Sequence, residues 1–243
     1  MNCYVMAAGN GVRLGPLTQE TPKCLLPIGS KPMLRWWLDA LFGCRCFEKI
    51  HVNLHYKADR VQRWIEMYCE DFSERGRRVE IIDEREKMLG TAGTLYWYGD
   101  NLEDFLVVYA DTLSFKTFEQ LPLFVEEWKM MRARRENREM LAGLLVFDAP
   151  GDRSCSILKT DRNGWVTSFA EKDGVGEDSW AGIMFGAREF YDELKPEDSD
   201  LATDVLPRMV KRMKVMGHVD AYDIGRGVAQ YERAKEKFSP LKA

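Results

Sequence analysis

Residues 9–23 read GNGVRLGPLTQETPK and follow directly on the apolar run CYVMAA (3–8). The run is a buried strand candidate. A chain leaving a strand for a helix usually needs only a handful of residues. This connection is far longer, carries two prolines, and holds one arginine and one lysine among small and polar neighbours. Glycines let backbone N–H groups approach an anion closely. Arg13 offers a planar fork for paired oxygen contacts, and Lys23 a mobile point charge. Two familiar phosphate loops are excluded. The string G-x-x-x-x-G-K-[ST] occurs nowhere in the chain, and G-x-G-x-x-G fails because Leu14 stands where its third glycine belongs.

Beyond this loop, strand-like runs alternate with helix-like segments. Strands are expected at 49–55, 78–83, 105–111 and 140–147, and helices at 32–42, 58–72 and 117–135. That βαβ rhythm implies a largely parallel sheet with helices on both faces. Residues 155–172 predict a hairpin turning at Asp161–Gly164, with strands at 180–186 and 215–225 and helices at 202–213 and 227–238. No repeat or Ser/Gly-rich linker divides the 243 residues, so one continuous domain is expected.

Bulk properties narrow the function. At 45% hydrophobic and 30% charged residues, with net charge −4, the chain has an ordinary globular composition and no global basic field for nucleic acid. The basic stretch 129–138 reads as a solvated helix face. No apolar run approaches the ~20 residues that cross a bilayer. The first residues lack the pattern of a secretion signal, and the six cysteines form no Cys-x-x-Cys pair. A cytoplasmic protein with reduced thiols is therefore expected. His51 and His55 share one side of a strand and read as structural. Trp36, Trp37, Trp64 and Trp128 read as core or subunit-interface rings, which leaves a homo-oligomer open.

The segment AAGNGVRLGPLTQETPKCLLPIGSKPML (7–34) resembles the signature of the sugar-1-phosphate nucleotidylyltransferases: G-x-G-x-R-L, then P-L-T, P-K and K-P. Four further segments resemble the family in order. These are EREKMLGTAGTL (84–95), FLVVYAD ending at Asp111, FAEKDG (169–174) and VDAYDIG (219–225). The resemblance implies an α/β fold, a Rossmann-like, mixed but mostly parallel sheet flanked by helices, with a small β insertion over the substrate site. Residues up to about 115 would form the nucleotide half and about 116–238 the sugar-phosphate half.

It also implies site roles. Ala8, Gly9, Gly11, Gly90, Thr91 and Gly93 would bind the nucleotide, with Thr91 capping the helix that follows. Arg13, Lys23 and Lys172 would stabilise the reacting phosphates. Glu171, Lys172 and Trp180 would meet the sugar phosphate, and Asp111 and Asp223 would hold Mg²⁺. The implied substrates are an NTP and a sugar 1-phosphate, and the L-G-T-A-G form leans towards mannose or heptose guanylyltransferases. Three positions depart from the family pattern. Tyr109 replaces the asparagine of N-G-D, Trp180 that of N-A-G-I, and Ser156 a strand glycine. These departures keep two other expectations open: a cytidylyltransferase acting on phosphocholine or a phosphonate, and a non-catalytic nucleotide-sugar-binding regulator.

Overall fold

The computed structural model describes residues 1–70, 78–149, 155–171 and 178–239. In chain order the strands are β1 (Asn2–Met6), β2 (Pro27–Ile28), β3 (Lys31–Pro32), β4 (Lys49–Leu54), β5 (Arg78–Asp83), β6 (Phe105–Tyr109), β7 (Thr112–Leu113), β8 (Ala142–Asp148), β9 (Ser156–Thr160), β10 (Val166–Glu171), β11 (Asp178–Gly186), β12 (Met213–His218) and β13 (Tyr222–Asp223). The α-helices are α1 (Pro16–Glu20), α2 (Met33–Gly43), α3 (Ala58–Glu70), α4 (Gly90–Tyr98), α5 (Phe115–Ala133) and α6 (Val228–Phe238).

The main sheet runs β12-β8-β11-β6-β1-β4-β5, with the hairpin β9-β10 added beside the first residues of β11. Its pairs are parallel except where β11, running against its neighbours, meets β6, β8 and β9, and within the hairpin itself. The expected mixed, mostly parallel sheet is therefore observed. Side chains alternate across it as the two-residue strand period requires. Cys3, Val5, Leu106 and Val108 enter one core with Trp37, Ile65, Trp128 and Phe238, from α2, α3, α5 and α6. Tyr4, Met6, Phe105 and Val107 enter the other, with Leu95 of α4 and the irregular segment 188–209.

Two expected elements differ. Residues 202–213 do not form one α-helix: a π-turn (Leu201–Val205) passes into a 3-10 turn (Leu206–Met209). Pro207 has no N–H to continue an α-helical ladder, and its ring clashes with the preceding turn. Residues 215–225 split between two sheets. β12 pairs with β8, whereas β13 crosses away to pair with β7, setting Asp223 opposite Thr112. The hairpin turn is as expected. Asp161 Oδ1 accepts from the N–H groups of Asn163 and Trp165, and Gly164 takes φ +79.

Candidate active site

Going outward from the centre, the sheet order β6-β1-β4-β5 reverses direction of progress between β1 and β6. A crevice outside the carboxyl ends of those strands is where open α/β sheets bind ligands. The glycine-rich connection leaves β1 at this point. Its start is pinned by Asn53 at the end of β4, whose Oδ1 accepts from the N–H groups of Ala7 (2.7 Å) and Ala8 (3.2 Å). The Asn53 amide in turn donates to Glu84 (3.0 Å) and Thr94 (3.1 Å), and Glu84, 2% exposed, also accepts from Leu89 N–H. One buried network thus fixes both the loop and the start of α4.

The long loop is an ordered excursion that returns to its origin. It makes a 3-10 turn (Val12–Leu14), the short α1, and a second turn (Lys23–Leu25). The Thr18 hydroxyl donates to the carbonyls of Gly11 and Gly15, and Tyr56 donates to that of Thr18. Gly11, at φ +65, is required here: a Cβ would lie 2.8 Å from Thr18 Cγ2 and 3.1 Å from Lys23 Cβ. The loop therefore delivers Lys23 beneath Gly9, where its ammonium pairs with Asp111.

Asp111 and Asp223 approach one another from chain segments joined by β7 and β13. Ile224 N–H donates to the Asp111 carbonyl at 2.8 Å. A Cβ on Gly225 would lie 2.3 Å from Asp111 Oδ2 and 2.9 Å from Asp223 Oδ1, so both carboxylates converge on that glycine. Burial, then the Asp111 carboxylate, pushes Asp223 up to about 7 against the pull of Lys23 and Arg13. Burial pulls the Lys23 ammonium down, but Asp111 and Asp223 outweigh it and hold the group above its ordinary range. Two half-buried carboxylates converging in this way form a hard-oxygen donor set of the kind Mg²⁺ takes up together with substrate phosphates. The residues fit a divalent cation.

Two cavities meet here. The larger, about 310 Å³, is lined by Ala8, Gly9, Lys23, Asn53, Gly90, Thr91, Tyr109, Asp111 and Asp200. The smaller, about 140 Å³, is lined by Arg13, Tyr109, Ser156, Ser179, Trp180, Asp200, Asp223 and Arg226 among others. Tyr109 and Asp200 form the wall between them, and the carboxylate pair straddles that wall, Asp111 on one side and Asp223 on the other. The Tyr109 hydroxyl donates to Thr91 Oγ1 at 3.1 Å, and its ring meets Trp180 edge to face at 5.2 Å.

A family model described as nucleotidyl transferase matches residues 3–236. The chain belongs to the nucleotidyl transferase family. Curated relatives include a UTP–glucose-1-phosphate uridylyltransferase of Synechocystis, 27% identical over 86% of this chain and 55% of its own length. The catalytic subunit beta of mannose-1-phosphate guanylyltransferase of Drosophila melanogaster is 26% identical over 87% of this chain and 55% of its own length. The chain thus spans about half the length of these two relatives. Among solved structures, HddC from Yersinia pseudotuberculosis superposes with TM-score 0.71 at 22% identity, covering 98% of this chain and 99% of that one. A UDP-glucose pyrophosphorylase complexed with UDP-glucose gives 0.73 at 16% identity, covering 99% of each chain. These superpositions share the fold.

Within this nucleotidyl transferase, the expected residues fall into three groups. Ala8, Gly9, Lys23, Gly90, Thr91, Asp111, Asp223 and Trp180 do line the paired cavities, with Trp180 on the smaller one. Arg13 also lines the smaller cavity, not the larger, its Nη1 donating to the Gly225 carbonyl at 3.4 Å. Gly11 and Gly93 act one step back. Gly11 serves the loop's return, and a Cβ on Gly93 would press on Leu89 at 3.2 Å and on the Asp198 carbonyl at 3.4 Å. Thr91 does not cap α4, since Leu89 is the N-cap. Its hydroxyl instead accepts from Leu201 N–H at 2.9 Å and faces Asp200. Glu171 ends β10, but its side chain and all of Lys172 lie outside the described residues.

Sequence reasoning missed Asn53, Asp200 and Arg226. Asn53 sits at a strand end like many structural asparagines, and nothing in its spacing marks it. Asp200 reads as one acid among several in EDSDLATD, although an Asp before an apolar pair is a recognisable N-cap. Its Oδ1 indeed accepts from the N–H groups of Ala202 and Thr203. His51 and His55 are structural, as expected: His51 stacks on Tyr4, and the His55 ring nitrogen lies 2.7 Å from the Glu84 carbonyl. Among the described residues no helix is long and apolar enough to cross a membrane.

Proposed function

We propose that this chain transfers a nucleoside monophosphate from an NTP to a sugar 1-phosphate, releasing pyrophosphate and dependent on Mg²⁺. One observation carries the reading: Lys23 and the Asp111–Asp223 pair meet at the wall between a larger and a smaller cavity. The larger cavity takes the nucleotide, and the smaller takes the acceptor.

The chemistry follows from that placement. A phosphate oxygen of the acceptor attacks the α-phosphorus of the NTP in line, the bond to the bridging oxygen breaks, and pyrophosphate leaves with the electron pair. Such transfers depend on positioning and charge stabilisation. Lys23, delivered by the loop, neutralises the α-phosphate, Arg13 bears on the charges from the smaller cavity, and Lys172, by its resemblance to the family's F-x-E-K-P lysine, would meet the incoming phosphate. The attacking phosphate is already ionised at neutral pH, so no general base is required. Asp111 and Asp223 would hold the Mg²⁺, which supplies charge neutralisation at the triphosphate and the departing pyrophosphate. The L-G-T-A-G segment and the guanylyltransferase among the relatives favour GTP with mannose or heptose 1-phosphate.

The test is pyrophosphate release with Mg²⁺, four NTPs and a panel of sugar 1-phosphates plus phosphocholine. Release with one NTP and one sugar phosphate is expected. Release with phosphocholine alone would move the assignment to a cytidylyltransferase of the phosphocholine kind. Asp111→Asn should lower turnover by about two orders of magnitude or more while leaving the fold intact. A protein that binds nucleotide sugars equally well with and without this substitution, and never turns over, would be a regulator.

A further inference from the structure

We propose that Arg226 binds the phosphate of the acceptor, a role that rests on the nucleotidyl-transfer reading above. Arg226 closes the 3-10 turn Ile224–Arg226, and the glycines on either side fix where it stands. Gly225 is held bare by the two carboxylates that converge on it. Gly227 takes φ +124, in the region glycine favours, with the Arg13 carbonyl 3.5 Å from where its Cβ would be. The turn is fastened to the metal-binding segment through Ile224 N–H and the Asp111 carbonyl, and to Arg13 through the Gly225 carbonyl. The backbone that presents Arg226 is thus the same backbone that positions Asp223.

Arg226 lines the smaller cavity together with Arg13, on the side of the wall that Asp223 occupies, and it does not line the larger one. If the larger cavity holds the NTP, the nucleophile must enter from this side for an in-line attack. The only group common to all acceptors of this reaction is a phosphate, and a guanidinium is the side chain whose fork matches it. Burial, and secondarily Arg233, press against the charge of Arg226. A phosphate beside Arg226 would offset that pressure on its charge. The turn's residues VDAYDIGRG carry no spacing signal for this role, because an arginine after a turn is ordinarily a solvated one.

The experiment measures initial rates of pyrophosphate release by wild type, Arg226→Gln and Arg226→Lys, varying the acceptor and the NTP separately, with a thermal melt of each protein. Arg226→Gln should raise the KM for the sugar 1-phosphate about tenfold to a hundredfold, with the KM for NTP and the melting midpoint unchanged. Arg226→Lys, which keeps charge but not the fork, should fall between. An unchanged acceptor KM in both variants overturns the proposal while leaving nucleotidyl transfer standing. So does a rise in both KM values together, or a loss of melting midpoint in both variants that accounts for the defect. A wild type that releases no pyrophosphate from any pair overturns the underlying reading as well.

Discussion

A single missing side chain sets the distance between the two acids of the site. Gly225 is not at a positive φ, and any residue could adopt its backbone, yet no Cβ fits between Asp111 and Asp223. Gly225→Ala should therefore spare the fold and damage the chemistry. Displacing a reacting group by about an ångström costs about a hundredfold in rate, so turnover should fall by about that factor with the circular dichroism spectrum and melting midpoint preserved. An alanine variant with full activity would mean that the carboxylates do not need their present spacing. The sequence held the pieces of this feature but not their relation. Both acids and the glycine are visible in FLVVYAD and YDIG, but only the pairing of β7 with β13 brings them together. Tyr109 was likewise visible as a departure, while its position in the wall of two cavities was not.

At the scale of elements, the walls of the cavities depend on a contact between α4 and the segment 199–205. Gly90 takes φ +77 at the start of α4, and a Cβ there would lie 2.2 Å from the Ser199 carbonyl. That carbonyl accepts from Ala92 N–H at 3.0 Å, and Leu201 N–H donates to Thr91. Gly90→Ala should thus part α4 from this segment and destabilise the protein by roughly 1–3 kcal/mol, the range for strain at a special φ. Urea unfolding would show it as a lower midpoint at unchanged slope. Strands buried on both faces were readable from their apolar runs, and β5 matches its expected limits. The segment 202–213 was not. Its apolar spacing is helical, but Pro207 interrupts the ladder and Asp200 and Asp204 draw backbone N–H groups into side-chain caps. Local hydrogen bonding by Asp competes with helix, and periodicity does not record it.

For the molecule as a whole, global stability carries the signature of a histidine inside the sheet. His51 lies on β4 between Tyr4 of β1 and Glu80 of β5, 8% exposed and stacked on the Tyr4 ring at 4.8 Å. Burial lowers its pKa; Glu80, 3.5 Å away, opposes that, with Lys49 lowering it further and Asp100 raising it. Because the folded value lies below the unfolded one, near 6.5, the unfolded chain binds the proton first as pH falls. The contribution is therefore complete above pH ~6.5 and is lost on acidification through the lower folded value. His51→Phe keeps the stacking and removes the titration. Relative to this variant, wild type should lose stability as pH falls below ~6.5 in matched denaturant titrations. A constant difference would show that His51 does not titrate differently on unfolding. Other groups, Asp223 among them, cancel in that comparison. The contact between Arg13 and the Gly225 carbonyl joins residues 212 positions apart, the first loop to the last turn. Closing so long a loop is a late and entropically demanding event in folding. The glycine-rich loop and the parallel strands β1, β4 and β5 find partners within residues 2–83, whereas the acid pair waits for the chain to come back upon itself. Catalytic competence would then appear after most of the protection against hydrogen exchange, and time-resolved refolding that follows both signals would see the sheet before the enzyme.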